Sequence, residues 1–165
     1  MTREIIFQKR LAIAAFFLVN GFLYANWTAR LPELQSFFDI SNSTLGTLLF
    51  TTALGALVSM PITGWITSKY RSEKTTVVVG IFFCCVIPFI PVSDNLWLAR
   101  IAFFMTGFTS GAMDVTMNGQ AVFVERAWKK PIMSSLHAMF SIAMPAGAGT
   151  GALFSHFDTA LTTHF

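Results

Sequence analysis

Residues 107–125 read GFTSGAMDVTMNGQAVFVE, and this stretch decides the fold because it sets an acid, Asp114, inside what otherwise reads as a membrane-spanning helix. At 3.6 residues per turn, Gly107, Gly111, Asp114, Asn118 and Glu125 fall within an arc of about 60°. One face is small and polar, and the rest is apolar. A carboxylate at bilayer depth costs roughly 2.5–3.5 kcal/mol on insertion scales, so Asp114 is expected to face a cavity or a partner and not lipid.

The remainder of the chain has the same character. Hydrophobic residues make up 54% of the 165 and charged residues 12%, against about 25% charged in soluble domains, and the mean hydropathy is +0.62. The net charge of +3 gives no nucleic-acid surface, because the basic residues sit in short clusters at the ends of apolar runs. Cys84 and Cys85 are adjacent within an apolar run, a spacing unsuited to a structural disulfide or a metal site, and are expected to be buried small hydrophobes. The first apolar run follows a basic N-terminus but lacks a small-x-small cleavage site, so it is read as a retained span. Asn26 and Asn42 each begin a glycosylation sequon.

Five apolar segments, at about 11–29, 45–67, 75–92, 96–124 and 132–155, are long enough to cross a hydrocarbon core of about 30 Å. The predicted class is an all-α, polytopic membrane bundle of five spans in a single membrane domain covering residues 1–165. The connections LPELQSFFDISNST, SKYRSEK, PVSDN and ERAWKK are too short to hold a separate soluble domain. Nine basic residues (Arg3, Lys9, Arg10, Lys69, Arg71, Lys74, Arg126, Lys129, Lys130) fall on one side, against Arg30 and Arg100 on the other. The positive-inside rule then makes the N-terminus cytoplasmic and, with five spans, the C-terminus external.

Polar residues within the spans are the functional candidates. Span one carries Asn20, Tyr24 and Trp27 on one face and ends at Arg30. Tyr24 and Trp27 suit interfacial anchoring or ligand contact, and Arg30 suits snorkelling to headgroups or a functional role. On span two, Ser41 or Ser43 is placed to cap the helix, and Thr51, Gly55 and Ser59 form a small stripe suited to close packing; Pro61 invites a kink. Span three has no ionisable residue and reads as a lipid-facing or supporting helix. On span five, Ser134, His137, Ser141, Pro145 and Ala148 share a face, and Gly147-xxx-Gly151 suits close packing. Asp114 and His137 are expected at similar depth across the span four to five hairpin, where they would form a proton relay, a substrate contact or a structural hydrogen bond.

Residues 113–143, MDVTMNGQAVFVERAWKKPIMSSLHAMFSIA, together with NWTARLPEL at the end of span one, resemble the N-terminal half of a major facilitator superfamily transporter. The similarity is to uncharacterised inner-membrane permeases distantly related to sugar permeases. In the superfamily's loop between spans two and three, Gly64 and Lys69 match the usual pattern, whereas Ser68 replaces the acid and Arg71 the second glycine. Gly64, Lys69 and Arg71 are therefore the loop gating candidates. The resemblance implies twelve spans in two six-span bundles with the substrate between them, so this chain corresponds to an incomplete six-span half.

The resemblance also implies solute transport in the inner membrane. Asn20, Tyr24, Trp27, Arg30, Asp114, Asn118, Ser134 and His137 are the pathway candidates for a small-molecule solute and protons. The other expected partners are the lipid bilayer and a second half or a second copy. The alternative is a non-transporting membrane protein or scaffold. No metal, cofactor or hydrolase motif is present, and an enzyme is not expected.

Overall fold

The computed structural model describes residues 2–70 and 72–165; the loop candidate Arg71 lies outside them. The described residues form the helices α1 (Arg3–Ala29), α2 (Leu31–Phe37), α3 (Asn42–Lys69), α4 (Ser72–Val86), α5 (Leu96–Trp128), α6 (Met133–His156) and α7 (Leu161–His164), with a 3₁₀ turn at Ile87–Phe89 and no strand. Four of these segments, Arg3–Ala29, Asn42–Lys69, Ser72–Phe89 and Met133–His156, are long and apolar enough to cross a membrane. The fourth expected span, which is α5, is not among them. Arg100, Asp114, Glu125 and Arg126 lower its hydropathy, and its buried face, running from Ala99 to Val124, meets other helices. A helix enclosed by protein has no need to be apolar all round.

The helix ends follow local chemistry. The Ser41 side chain accepts from the Thr44 amide at 3.2 Å and starts α3, and the Asn95 side chain accepts from Trp97 and Leu98 at 3.0 Å each and starts α5, both ordinary N-caps. Helix α5 ends where Lys129 turns left-handed at φ 57°. Helix α4 gives way to the 3₁₀ turn at Pro88. Pro61 and Pro145 sit inside α3 and α6, which both run on through them.

Two sets of helices, one of three and one of two, make the bundle. Helix α5 packs along α3 and α4, α1 packs along α6, and α1 meets α5 to join the two sets. Glycine brings the backbones together. A Cβ on Gly107 would land on the Thr52 carbonyl and one on Gly55 on the Phe104 carbonyl, while Gly21 and Gly147 meet the Phe140 and Phe22 carbonyls in the same way. These are the close approaches that small residues permit between membrane helices. Gly107 and Gly111, which share an arc with Asp114, thus lie against α3: Gly111 faces Ala56 and the buried Ser59.

One further expectation is corrected. Cys84 and Cys85 are both exposed, because α4 buries Thr76, Gly80 and Phe83 and leaves its cysteines on another face. Asn26 is buried and spends its amide on α6, donating to the Gly147 carbonyl at 3.3 Å and the Thr150 hydroxyl at 2.8 Å. It is therefore an inter-helix tie and no free glycosylation acceptor.

Candidate functional site

The polar candidates separate into three groups along the helices. In the middle, Asp114 is half-buried on α5, and Asn118 one turn later donates to its Oδ1 at 3.0 Å and to its carbonyl at 2.9 Å. The acid is thereby held by a neutral amide. Across the interface Asn20 of α1 is 5% exposed; its amide nitrogen meets Met117 Sδ at 3.7 Å, and its Oδ1 is buried without a hydrogen-bond partner. An unspent buried acceptor is uncommon in folded proteins.

His137 is exposed, and its ring packs edge-on against Phe17 of α1 at 5.2 Å between centroids. Helix α1 occupies the position between α5 and α6, which touch little. Asp114 and His137 are therefore not paired with each other, and the expected hairpin pairing is replaced by two separate contacts on either side of α1. Ser134 is exposed on the first turn of α6.

Nearer the α1 C-terminus, Trp27 is 1% exposed and Tyr24 is 41% exposed. Trp27 meets Phe103 edge-on at 5.9 Å and Tyr24 at 6.1 Å. Its Nε1 is buried with no acceptor. Both aromatics line a cleft of about 390 Å³ between α1, α3 and α5, together with Thr28, Thr52, Thr106 and Ser110. The hydroxyl residues of α3 and α5 in this wall were not among the sequence candidates, although Ser110 precedes Asp114 by one helical turn, the spacing that would have revealed it.

At the α1–α2 elbow Arg30 is 1% exposed. Its Nε donates to Glu33 Oε2 at 2.6 Å, its Nη2 to the Thr159 carbonyl at 2.7 Å, and its Nη1 lies 3.0 Å from His164 Nδ1. Every side of the guanidinium has a protein partner, so Arg30 does not snorkel. Burial pushes the His164 imidazole below its usual range, and the Arg30 charge lowers it further, against a smaller opposing effect of Glu33.

The opposite end of the bundle is tied by charge and capping. The Glu125 carboxylate accepts from the Ile132 and Met133 amides at 2.7 and 2.9 Å and so closes the start of α6; these two bonds hold its carboxyl below the usual carboxylate range. Lys9 pairs with Glu73, and Gln120 bonds Ser72, joining α1, α4 and α5. Of the loop candidates, Gly64 faces open space and Lys69 lies over the Trp65 ring at 4.2 Å.

An all-helical bundle with apolar outer faces and a half-buried acid on its most enclosed helix defines a polytopic membrane protein. A family model described as Major Facilitator Superfamily matches residues 4–162. This chain belongs to that superfamily and is a multi-pass membrane protein. It is similar to an uncharacterized transporter of Sinorhizobium fredii, with 35% identity over 153 residues, covering 93% of this chain and 41% of that protein. An uncharacterized MFS-type transporter of Yersinia pestis is 31% identical over 133 residues, 81% of this chain and 35% of its own length. The membrane protein MosC of Rhizobium meliloti is 30% identical over 139 residues, 84% of this chain and 34% of its own length. The chain thus spans well under half the length of these relatives. No solved structure matches it.

Proposed function

We propose that this chain is one helical bundle of a secondary transporter that moves a small solute across the inner membrane by alternating access. The observation that carries the reading is the superfamily match across residues 4–162, and the names of two relatives, both transporters, support it. In this reading residues 1–165 are a single membrane domain. All five long helices cross the bilayer, α5 as the enclosed span, and the N-terminus is cytoplasmic because nine of the eleven basic residues cluster at that end.

A second bundle, from another chain or another copy, completes the pathway. Asn20, Tyr24, Trp27, Asp114 and Asn118 line it, with Ser134 and His137 on the face of α6 turned toward the second bundle. Asp114 exchanges a proton with the solute cycle. Arg30 holds the external elbow, and Gly64, Lys69 and Arg71 belong to the cytoplasmic gate.

The experiment is uptake into vesicles that contain this chain together with the remaining portion of a full-length relative. Asp114→Asn is expected to abolish concentrative uptake while leaving expression intact. Undiminished accumulation removes Asp114 from the mechanism, and no uptake by the unaltered pair overturns the transport reading itself.

A further inference from the structure

The cleft between α1, α3 and α5 has a composition that restricts what it can hold. No Asp, Glu, Lys, Arg or His lines it. Its hydroxyls divide by the state of their protons. Thr28 donates to the Tyr24 carbonyl at 2.7 Å, Thr52 to the Leu48 carbonyl at 3.2 Å and Thr106 to the Ala102 carbonyl at 2.8 Å. Each of these three has spent its proton on its own helix and offers only lone pairs. The hydroxyls of Tyr24 and Ser110 have no hydrogen-bond partner among the described residues and keep their protons, whereas the Trp27 indole N–H is sealed behind the wall, out of reach of the cleft. The wall thus supplies both donors and acceptors, together with the aromatic surface of Tyr24, which is 41% exposed and backed by the buried Trp27 ring. The nearest charge on α5, Asp114, lies one turn beyond Ser110, about 6 Å along the helix.

We infer that this cleft binds an uncharged solute that both donates and accepts hydrogen bonds and lays an apolar face on Tyr24. The inference deepens the transport reading and rests on it. A charged solute would leave water for a wall with no counter-ion, whereas a neutral one exchanges its hydration for the unspent donors and acceptors at little cost.

Alkylation of a cysteine placed in the wall tests this directly. Ser110→Cys in a Cys84→Ala, Cys85→Ala background is embedded in vesicles as the full chain, and its rate of reaction with a maleimide is measured in the presence of matched solutes. Two series are used: methyl glucoside with glucosamine and glucuronate, and nicotinamide with picolylamine and nicotinate. The expected result is at least a threefold slowing by the neutral member of a series and little by its charged counterparts. Reaction at Ser93→Cys, outside this cleft, is expected to be unaffected by any of the six.

Preferential protection by a cation or an anion, or no preference for the neutral member in either series, overturns the inference. Neither result bears on whether uptake depends on Asp114. If uptake proves insensitive to Asp114→Asn and the neutral protection remains, the binding site stands and the coupling does not.

Discussion

Arg30 Nη1 and His164 Nδ1 lie 3.0 Å apart although 134 residues separate them. A guanidinium has N–H donors and no acceptor, so it donates and the imidazole accepts, which places the His164 proton on Nε2. The ring is stacked on both sides, on Phe154 at 4.3 Å and on Phe165 at 4.7 Å. One neutral histidine therefore ties the segment after α6 to the α1–α2 elbow.

This tie is expected to weaken in acid. The folded state holds His164 neutral below the usual imidazole value of about 6.5 because of burial and the adjacent guanidinium. Between that lowered value and 6.5 the released segment binds more protons than the docked one, so docking loses stability as pH falls through the window and is unaffected above it. Spin labels at Ser36→Cys and Thr162→Cys, which flank the cleft beside Arg30, in the Cys84→Ala, Cys85→Ala background, should show one short distance at pH 7.5 and a broadened distribution at pH 5. With His164→Gln, which keeps an acceptor and does not titrate, the two distributions should coincide.

The glycine contacts predict a graded response. Gly107→Ala places a methyl on the Thr52 carbonyl and Gly147→Ala one on the Phe22 carbonyl, and overpacking of this kind costs about 1–3 kcal/mol. Gly119 and Gly149 have nothing within 4 Å of the same position, so alanine there should be neutral or stabilising by up to about 1 kcal/mol through helix propensity. Thermal unfolding in detergent separates the two pairs. Equal effects at all four sites would mean that the backbones are not in close contact.

Glu125 predicts a pH-independent loss over the neutral range. Its carboxyl is held below the usual range by the Ile132 and Met133 amides, so its contribution is complete above about 4.3 and fades only as pH falls through the lowered folded value. Glu125→Ala should lower the melting temperature by the same amount at pH 8 and pH 6, and Glu125→Gln, which retains an acceptor, by less. A difference that grows from pH 8 to pH 6 would assign the effect to another group.

The same residues show how far a sequence carries. Helical class, the Ser41 cap, and the packing of Gly55, Ser59, Gly147 and Gly151 follow from local spacing, which depends only on neighbours within a turn or two. Arg30 could not be read in this way, since Thr159 and His164 are more than a hundred residues distant and their approach depends on how α6 ends. The pairing of Asp114 with His137 failed for a similar reason. Depth along a helix is readable from residue number, but which helix lies between two others is set by glycine contacts such as Gly21 with Phe140, between segments remote in sequence. Helix α2 has the look of a connection in the sequence because LPELQSF is too short to show a period.

Asn20 gives the sharpest separation of stability from function. Its Oδ1 is buried at the α1–α5 interface without a partner, and an amide in that state costs about 1–3 kcal/mol in mutational data. Asn20→Leu keeps the approximate volume and removes the unsatisfied group, so thermal stability in detergent should rise or stay level. Solute uptake by the completed transporter should fall at least tenfold, because the proposed pathway then loses its Asn20 amide. A variant both less stable and fully active would show that the Asn20 oxygen already has a bonding partner within the folded bundle and has no part in the pathway.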